Sequence, residues 1–226
     1  MGEALYTVSV WVLPILLAIT LHEAAHGYVA WKLGDDTAYR QGRVSFNPFR
    51  HIDPIGTVLL PGLLLYLRAP FLFGYAKPVP VNFGRLHHPR RDMIKVAAAG
   101  PAANLGIALA SAMLFHLVQL MPAGIDRWVA MNLGNSIFIN ILLAVFNMLP
   151  LPPLDGGRVA VGLLPRPLAL PLARLEPFGI LLLLGALFLL PMLGQRIGVV
   201  IDPFGWLIAG PARVIGGLVL TVTGVK

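Results

Sequence analysis

His22-Glu23-Ala24-Ala25-His26 is the stretch of this chain whose residue types and spacing best fit chemistry, and it lies in an apolar run from about Tyr6 to Leu33. Residues four apart share one helix face, so His22 and His26 can offer two imidazoles to one metal ion. Glu23 is turned about 100° round the helix, where it can reach a metal-activated water without being a ligand. Matches to this pattern are common in soluble proteins, where two histidines satisfied by neighbouring helices explain it. In a lipid-spanning helix that explanation leaves Glu23 without a purpose, and an ionisable triplet there marks a functional site.

The surrounding elements are those of a membrane protein. The 226 residues are 57% hydrophobic and only 12% charged, about half the charge of a soluble domain, and mean hydropathy is +0.79. The net charge of +7 would suggest nucleic acid in a soluble protein. Here the basic residues fall in loops between apolar runs, so positive-inside bias and anionic lipid head groups explain them, and no nucleic-acid partner is expected. Cys is absent, which excludes disulfides, thiolate ligands and a cysteine nucleophile. The first apolar run lacks the basic start and cleavage site of a signal peptide.

The expected fold class is an all-α polytopic membrane protein of about five to six transmembrane helices, read as one unit over residues 1–226. Its motif core covers about 5–158 and accessory helices about 175–222. The first span, roughly 5–32, ends at Trp31 and Lys32, and the loop after it holds Arg40, Arg43 and Arg50, so it should run from outside to inside. Val44-Ser45-Phe46-Asn47-Pro48 alternates and stops at proline, which predicts a short strand or extended segment. Residues 54–73 open with an Asp53-Pro54 cap and are broken by Pro61-Gly62. A full crossing would put Arg85, Arg90, Arg91 and Lys95 outside, so a re-entrant hairpin reversing at Pro61-Gly62 is expected. A proline-rich extended loop to Asn82 follows, then spans at about 93–121, 128–150, 177–193 and 204–222.

A catalytic zinc has three protein ligands and an open position. Among the acidic residues after His26, Asp53 and Asp202 have capping explanations, and Glu176 stands at a helix start beside Pro177. Asp35, Asp36, Asp92 and Asp126 fall in polar connections where solvation is usual. Asp155 alone ends a long apolar run on a proline-broken, glycine-flanked turn. The expected topology brings it to the depth of His22 and His26, with Asn104 nearby on the third element. A plain turn aspartate before two glycines stays open as an explanation of Asp155, as does Glu176 as the ligand of a different zincin.

Three segments then resemble, in order and spacing, the signatures of the site-2 proteases, which are intramembrane zinc metalloproteases. They are His22-Glu23-Ala24-Ala25-His26, Ala99-Gly100-Pro101-Ala102-Ala103-Asn104, and Asn147 with Pro152-Pro153-Leu154-Asp155-Gly156-Gly157. The resemblance implies a core of three transmembrane helices and one zinc ion held by His22, His26 and Asp155. It implies Glu23 as the catalytic base and a re-entrant β-like region between the first two motifs. It also implies that Asn104 contacts substrate or stabilises the oxyanion, and that Asn147 holds a substrate strand. The activity implied is hydrolysis of peptide bonds in transmembrane or membrane-proximal substrate segments, as in regulated intramembrane proteolysis. The chain resembles a minimal form without PDZ or CBS domain. The expected location is the lipid bilayer of a bacterial cytoplasmic membrane, with the site toward the cytoplasm. A membrane metal transporter using the same four residues, or a non-proteolytic scaffold, are the alternatives.

Overall fold

The computed structural model describes residues 2–67 and 74–225. Its first element, α1 (Gly2–Lys32), is a single helix of 31 residues, about 46 Å long and more than a hydrocarbon core requires. It ends in an aromatic and basic cluster: Trp31 stacks on Tyr39 at 4.2 Å between ring centroids, and Lys32 Nζ lies 4.8 Å from the Trp31 ring. That is the composition of an interfacial anchor. A short helix α2 (Thr37–Arg40) follows.

No strand occurs among the described residues. The expected strand at Val44–Asn47 and the β-like region are therefore corrected: bends run into a 3-10 turn, Pro48–Arg50, whose first turn Asn47 caps. With no second extended segment paired to it, the alternating pattern has no ladder to join. Asp53 caps the next helix as expected, its side chain accepting from Ile55 N and Gly56 N. The helix runs as a π-turn, Pro54–Leu59, into α3 (Leu60–Tyr66). The chain therefore does not reverse at Pro61-Gly62. Pro61 lies inside this continuous helical stretch, just after the π-turn. At about 20 Å the helical stretch is too short to cross a bilayer. Beyond residues 68–73, which lie outside the described residues, the chain is back where it began. Tyr75 N donates to Gly56 O, Thr57 Oγ1 to Tyr75 O, and Lys77 N to His51 O. Residues 51–57 and 75–77 thus lie together at one end of the molecule.

Helices α4 (Pro89–Phe115) and α5 (Ile125–Asn147) pack against α1 and against each other. Small buried residues at the crossings, Ala18, Ala108, Ala112 and Ala144, let the backbones approach closely, as apolar surface alone cannot draw helices together in lipid. After a proline-rich turn come α6 (Asp155–Leu163) and α7 (Arg166–Arg174). These two were not foreseen, because glycines and prolines hide their helical period. The rest is α8 (Gly179–Leu184), α9 (Leu190–Arg196), joined by a π-turn, and α10 (Gly210–Thr223). Packed on α4 and α5, α10 ends where Thr223 O meets His116 Nε2 at 2.7 Å. Among the described residues, five helical stretches are long and apolar enough to cross a membrane: Leu5–Lys32, Pro89–Leu120, Ile125–Asn147, Arg166–Arg196 and Gly205–Thr223.

The return of the chain at Tyr75 sets an accessibility pattern. Single cysteines at Gln41 and His88, both exposed, should react with a membrane-impermeant thiol reagent from the same face only. Labelling of the two from opposite faces would mean that residues 54–73 cross the bilayer.

Candidate metal centre

Helical periodicity sets His22 and His26 on one face of α1, and their Nε2 atoms converge to 3.1 Å. Asp155, the first residue of α6, sends Oδ2 to 3.2 Å from His22 Nε2 and 3.3 Å from His26 Nε2. These separations lie at or a few tenths of an ångström below the edge of a tetrahedron with metal–ligand bonds of about 2.0–2.2 Å, which is roughly 3.3–3.6 Å. All three side chains are buried, at 7%, 9% and 7% exposure. Asp155 Oδ2 is close to both imidazoles, yet no N–H is aligned to satisfy it as a hydrogen bond. A buried carboxylate oxygen left unpartnered is expensive, and a cation held between the three atoms removes that penalty. The donor set of two imidazoles and one carboxylate suits zinc. Among the described residues it is the one group of three such side chains able to share a metal.

Asp155 is delivered by a tight turn. The Met148–Leu154 segment folds back onto the start of α6, so that a Cβ on Gly156 or Gly157 would run into the backbone of Met148 or Pro152. At the other end of α6, Arg90 from α4 caps the last carbonyls, with Nε 3.0 Å from Gly162 O and Nη2 on Leu164 O. A cation there also complements the helix dipole. The imidazoles are fixed from behind: His26 Nδ1 donates to Val96 O at 2.7 Å, and His22 Nδ1 to Asn104 Oδ1 at 2.6 Å. Each ring is thereby set with Nδ1 protonated and Nε2 free to bind, the usual outer-shell arrangement around a metal.

Asn104 is fully buried. Besides accepting from His22, it donates to Ala18 O and Asn140 Oδ1, which leaves it no free donor toward a substrate. Asn147 is half-buried near the C-terminal end of α5 and donates to Leu143 O at 3.0 Å. Glu23 is also half-buried. Its Oε2 accepts from Val79 N at 2.8 Å. Val79 belongs to the extended segment Lys77–Asn82, a strap laid across α1. Arg43 Nη2 holds the strap at Lys77 O, 2.6 Å away, and Asp35 Oδ2 holds it at Asn82 N, also 2.6 Å away.

Asp35 and Asp92 correct the expectation of solvated aspartates, because both are fully buried. Asp35 also accepts from Thr37 N and Oγ1, and Asp92 accepts from His88 N and Lys95 Nζ. Asp35 reaches Asn82 N through loop folding, which no local signal announces, whereas the partners of Asp92 are local, His88 N at the helix start and Lys95 three residues on. Asp202 caps Gly205 N at 2.8 Å, and Glu176 lies 3.4 Å from Arg158. The chain is therefore using those two carboxylates elsewhere.

The chain is similar to three proteins of related description. "Putative zinc metalloprotease YwhC" of Bacillus subtilis is 39% identical over 188 residues, covering 80% of each chain. "Putative zinc metalloprotease Rip2" of Mycobacterium tuberculosis H37Rv is 31% identical over 186 residues, 82% of this chain and 69% of its own. MJ0611 of Methanocaldococcus jannaschii, with the same description, is 29% identical over 142 residues, 61% of this chain and 62% of its own. No family model and no solved structure matches the chain.

Gly100 makes the packing of the site testable without touching a ligand. A Cβ there would lie 2.6 Å from His22 Cε1 and Nε2, and closer still to His26 Nε2, whereas one on Gly106 of the same helix meets nothing within 4 Å. Gly100→Ala should therefore lower zinc content at least about tenfold on the scale of outer-shell damage. Gly106→Ala should keep zinc and gain up to about 1 kcal/mol of helix stability. Metal analysis and thermal unfolding of the two purified variants check this.

Proposed function

We propose that this chain, which belongs to the YwhC and Rip2 family of zinc metalloproteases, is an intramembrane protease of the site-2 type that hydrolyses peptide bonds in membrane-embedded segments of other proteins. The observation that carries the reading is the convergence of His22 Nε2, His26 Nε2 and Asp155 Oδ2 within 3.1–3.3 Å in a chain with five helices apolar enough to span a bilayer. These three residues would hold one zinc ion, which when bound supplies Lewis acidity, lowering the pKa of a water and polarising the scissile carbonyl.

The remaining chemistry belongs to the chain. Glu23 is one residue from His22 and directs Oε2 to Val79 N, so Oε1 is the oxygen we assign as base. It takes a proton from the attacking water and returns it to the leaving amine as the C–N bond breaks. Asn104, with every donor engaged, is assigned to orienting His22. Asn147 remains our candidate for a substrate contact, since its Oδ1 takes no hydrogen bond among the described residues. A substrate helix hides its peptide groups in internal hydrogen bonds and must unwind before attack. The strap Lys77–Asn82, extended and beside Glu23, is the element we assign to receiving the unwound strand by edge pairing.

The basic residues favour a site open to the cytoplasm, because Arg40, Arg43 and Arg50 follow the Lys32 end of α1 and Arg85, Arg90 and Arg91 flank the start of α4. A transport role has no support in the last spans: among the described residues, no ionisable group in α8, α9 or α10 is buried.

Metal binding and proton transfer should separate by mutation. Reconstituted Glu23→Gln should keep near-stoichiometric zinc and cleave a transmembrane model substrate about 10²–10⁴-fold more slowly, the usual worth of a general base. Wild-type cleavage by Glu23→Gln would remove Glu23 from the mechanism.

The third ligand has its own test. Asp155→Ala should lose zinc along with activity, while Asp53→Ala and Glu176→Gln retain both. Loss of zinc from Glu176→Gln with retention by Asp155→Ala would move the site to a different carboxylate.

A further inference from the structure

The three packed spans carry a buried polar seam that the chemistry above does not absorb. Ser136 and Asn140 lie one turn apart on α5, and Asn104 and Ser111 two turns apart on α4. All four are buried, with Asn104 and Asn140 at 0% exposure. Ser111 Oγ and Ser136 Oγ are 2.8 Å apart. Asn140 Nδ2 donates to Ser136 O at 2.9 Å, Asn104 Nδ2 donates to Asn140 Oδ1 at 2.7 Å, and His22 Nδ1 meets Asn104 Oδ1 at 2.6 Å.

An amide side chain can be turned over with little change in shape, so its orientation is decided by its neighbours. Two neighbours here can only accept. The helix carbonyl of Ser136 forces Asn140 to present Nδ2 to it, which turns Oδ1 toward Asn104. The carbonyl of Ala18, 3.2 Å from Asn104 Nδ2, and Asn140 Oδ1 together claim both amide hydrogens of Asn104. Its Oδ1 is left to face His22, and an oxygen there can only accept. His22 must then carry its proton on Nδ1, with the Nε2 lone pair directed to His26 and Asp155.

We infer that Asn140 is a positioning residue for the metal site: by fixing the amide sense of Asn104 from α5, it sets the tautomer in which His22 can bind zinc. The inference rests on the reading of His22 as a ligand. Without Asn140 Oδ1, Asn104 loses one of its two acceptors, and its amide can turn to donate to His22 Nδ1. The ring proton then moves to Nε2, and that nitrogen no longer binds metal.

A purely structural role, a polar pair joining two helices in lipid, would change the stability of the protein but not its hold on zinc. The test therefore reads two quantities on the full chain in lipid nanodiscs: thermal unfolding of the metal-free protein, and zinc retention across a chelator series. Asn140→Leu should retain zinc about 10- to 100-fold less tightly, the usual loss for an outer-shell partner. Asn140→Asp, held neutral in the dry core, still offers an oxygen to Asn104 and an O–H to Ser136 O, and should restore retention to within about threefold on that scale. Asn140→Ser serves if the leucine variant does not fold, because its hydroxyl is too short to reach Asn104, and the same loss is expected. His22→Ala, expected to lose zinc, is the reference. Wild-type retention in both the leucine and serine variants, with zinc lost from His22→Ala, overturns the role of Asn140 and leaves the site standing. Wild-type retention in His22→Ala overturns the site itself.

Discussion

The structure turns on the meeting of one carboxylate with two imidazoles in a core that excludes water. Asp155 Oδ2 sits 3.2 and 3.3 Å from the Nε2 atoms of His22 and His26. Ionisable groups so placed are unfavourable unless compensated. Compensation requires parts of the chain more than a hundred residues apart to arrive together. The helix α1 supplies the imidazoles, α4 the carbonyl of Val96 and the amide of Asn104 that hold them, and the turn after α5 the carboxylate. The absence of a side chain at Gly100 belongs to the same arrangement, since the imidazoles occupy the space a Cβ would need.

How much of this could be read in the sequence follows from the range of each interaction. His22, Glu23 and His26 declare themselves because helical geometry alone relates them. Asp155 was readable because prolines and glycines punctuate the chain around it, and the local turn they dictate is the one that forms. Asn104 was legible as a polar residue that must face protein, but not as the partner of His22, since nothing local says which helix stands opposite. Asp35 was misjudged for the same reason. Its burial depends on Asn82 N, which is 47 residues away. Pro61-Gly62 misled in the opposite sense: a pair that often breaks helices sits inside a continuous helical stretch, just after the π-turn Pro54–Leu59.

The strap Lys77–Asn82 shows the same economy in the region of the base. Its two prolines rule out a helix and remove two backbone donors, so few amides need satisfying. Two of those that remain are met by side chains, Val79 N by Glu23 and Asn82 N by Asp35, while Arg43 covers the carbonyl of Lys77. Three charged groups hold one short extended segment. In a purely structural loop, backbone pairing would serve, as it does at Lys77 N with His51 O. Side-chain pinning instead leaves main-chain edge uncommitted, and that is the feature a strand-receiving segment requires.

Depth completes the physical picture. His22 and His26 precede Lys32, at the interfacial end of α1, by ten and six residues, or about 15 and 9 Å along the axis. With a hydrocarbon core of about 30 Å, the proposed reading puts the candidate centre within one leaflet, below the head groups and above the midplane. On that reading, peptide hydrolysis at that level would need water, while the substrate would come from lipid. The fold places a polar element on each side of the boundary. Toward the interface lie the strap and its buried charges, and toward the midplane runs the seam from Asn104 to Ser111, sealed among small apolar residues. The first can admit water, and the second needs none because its hydrogen bonds close on themselves. A site supported on both sides in this way can be wet on one face while its ligands stay fixed from the other.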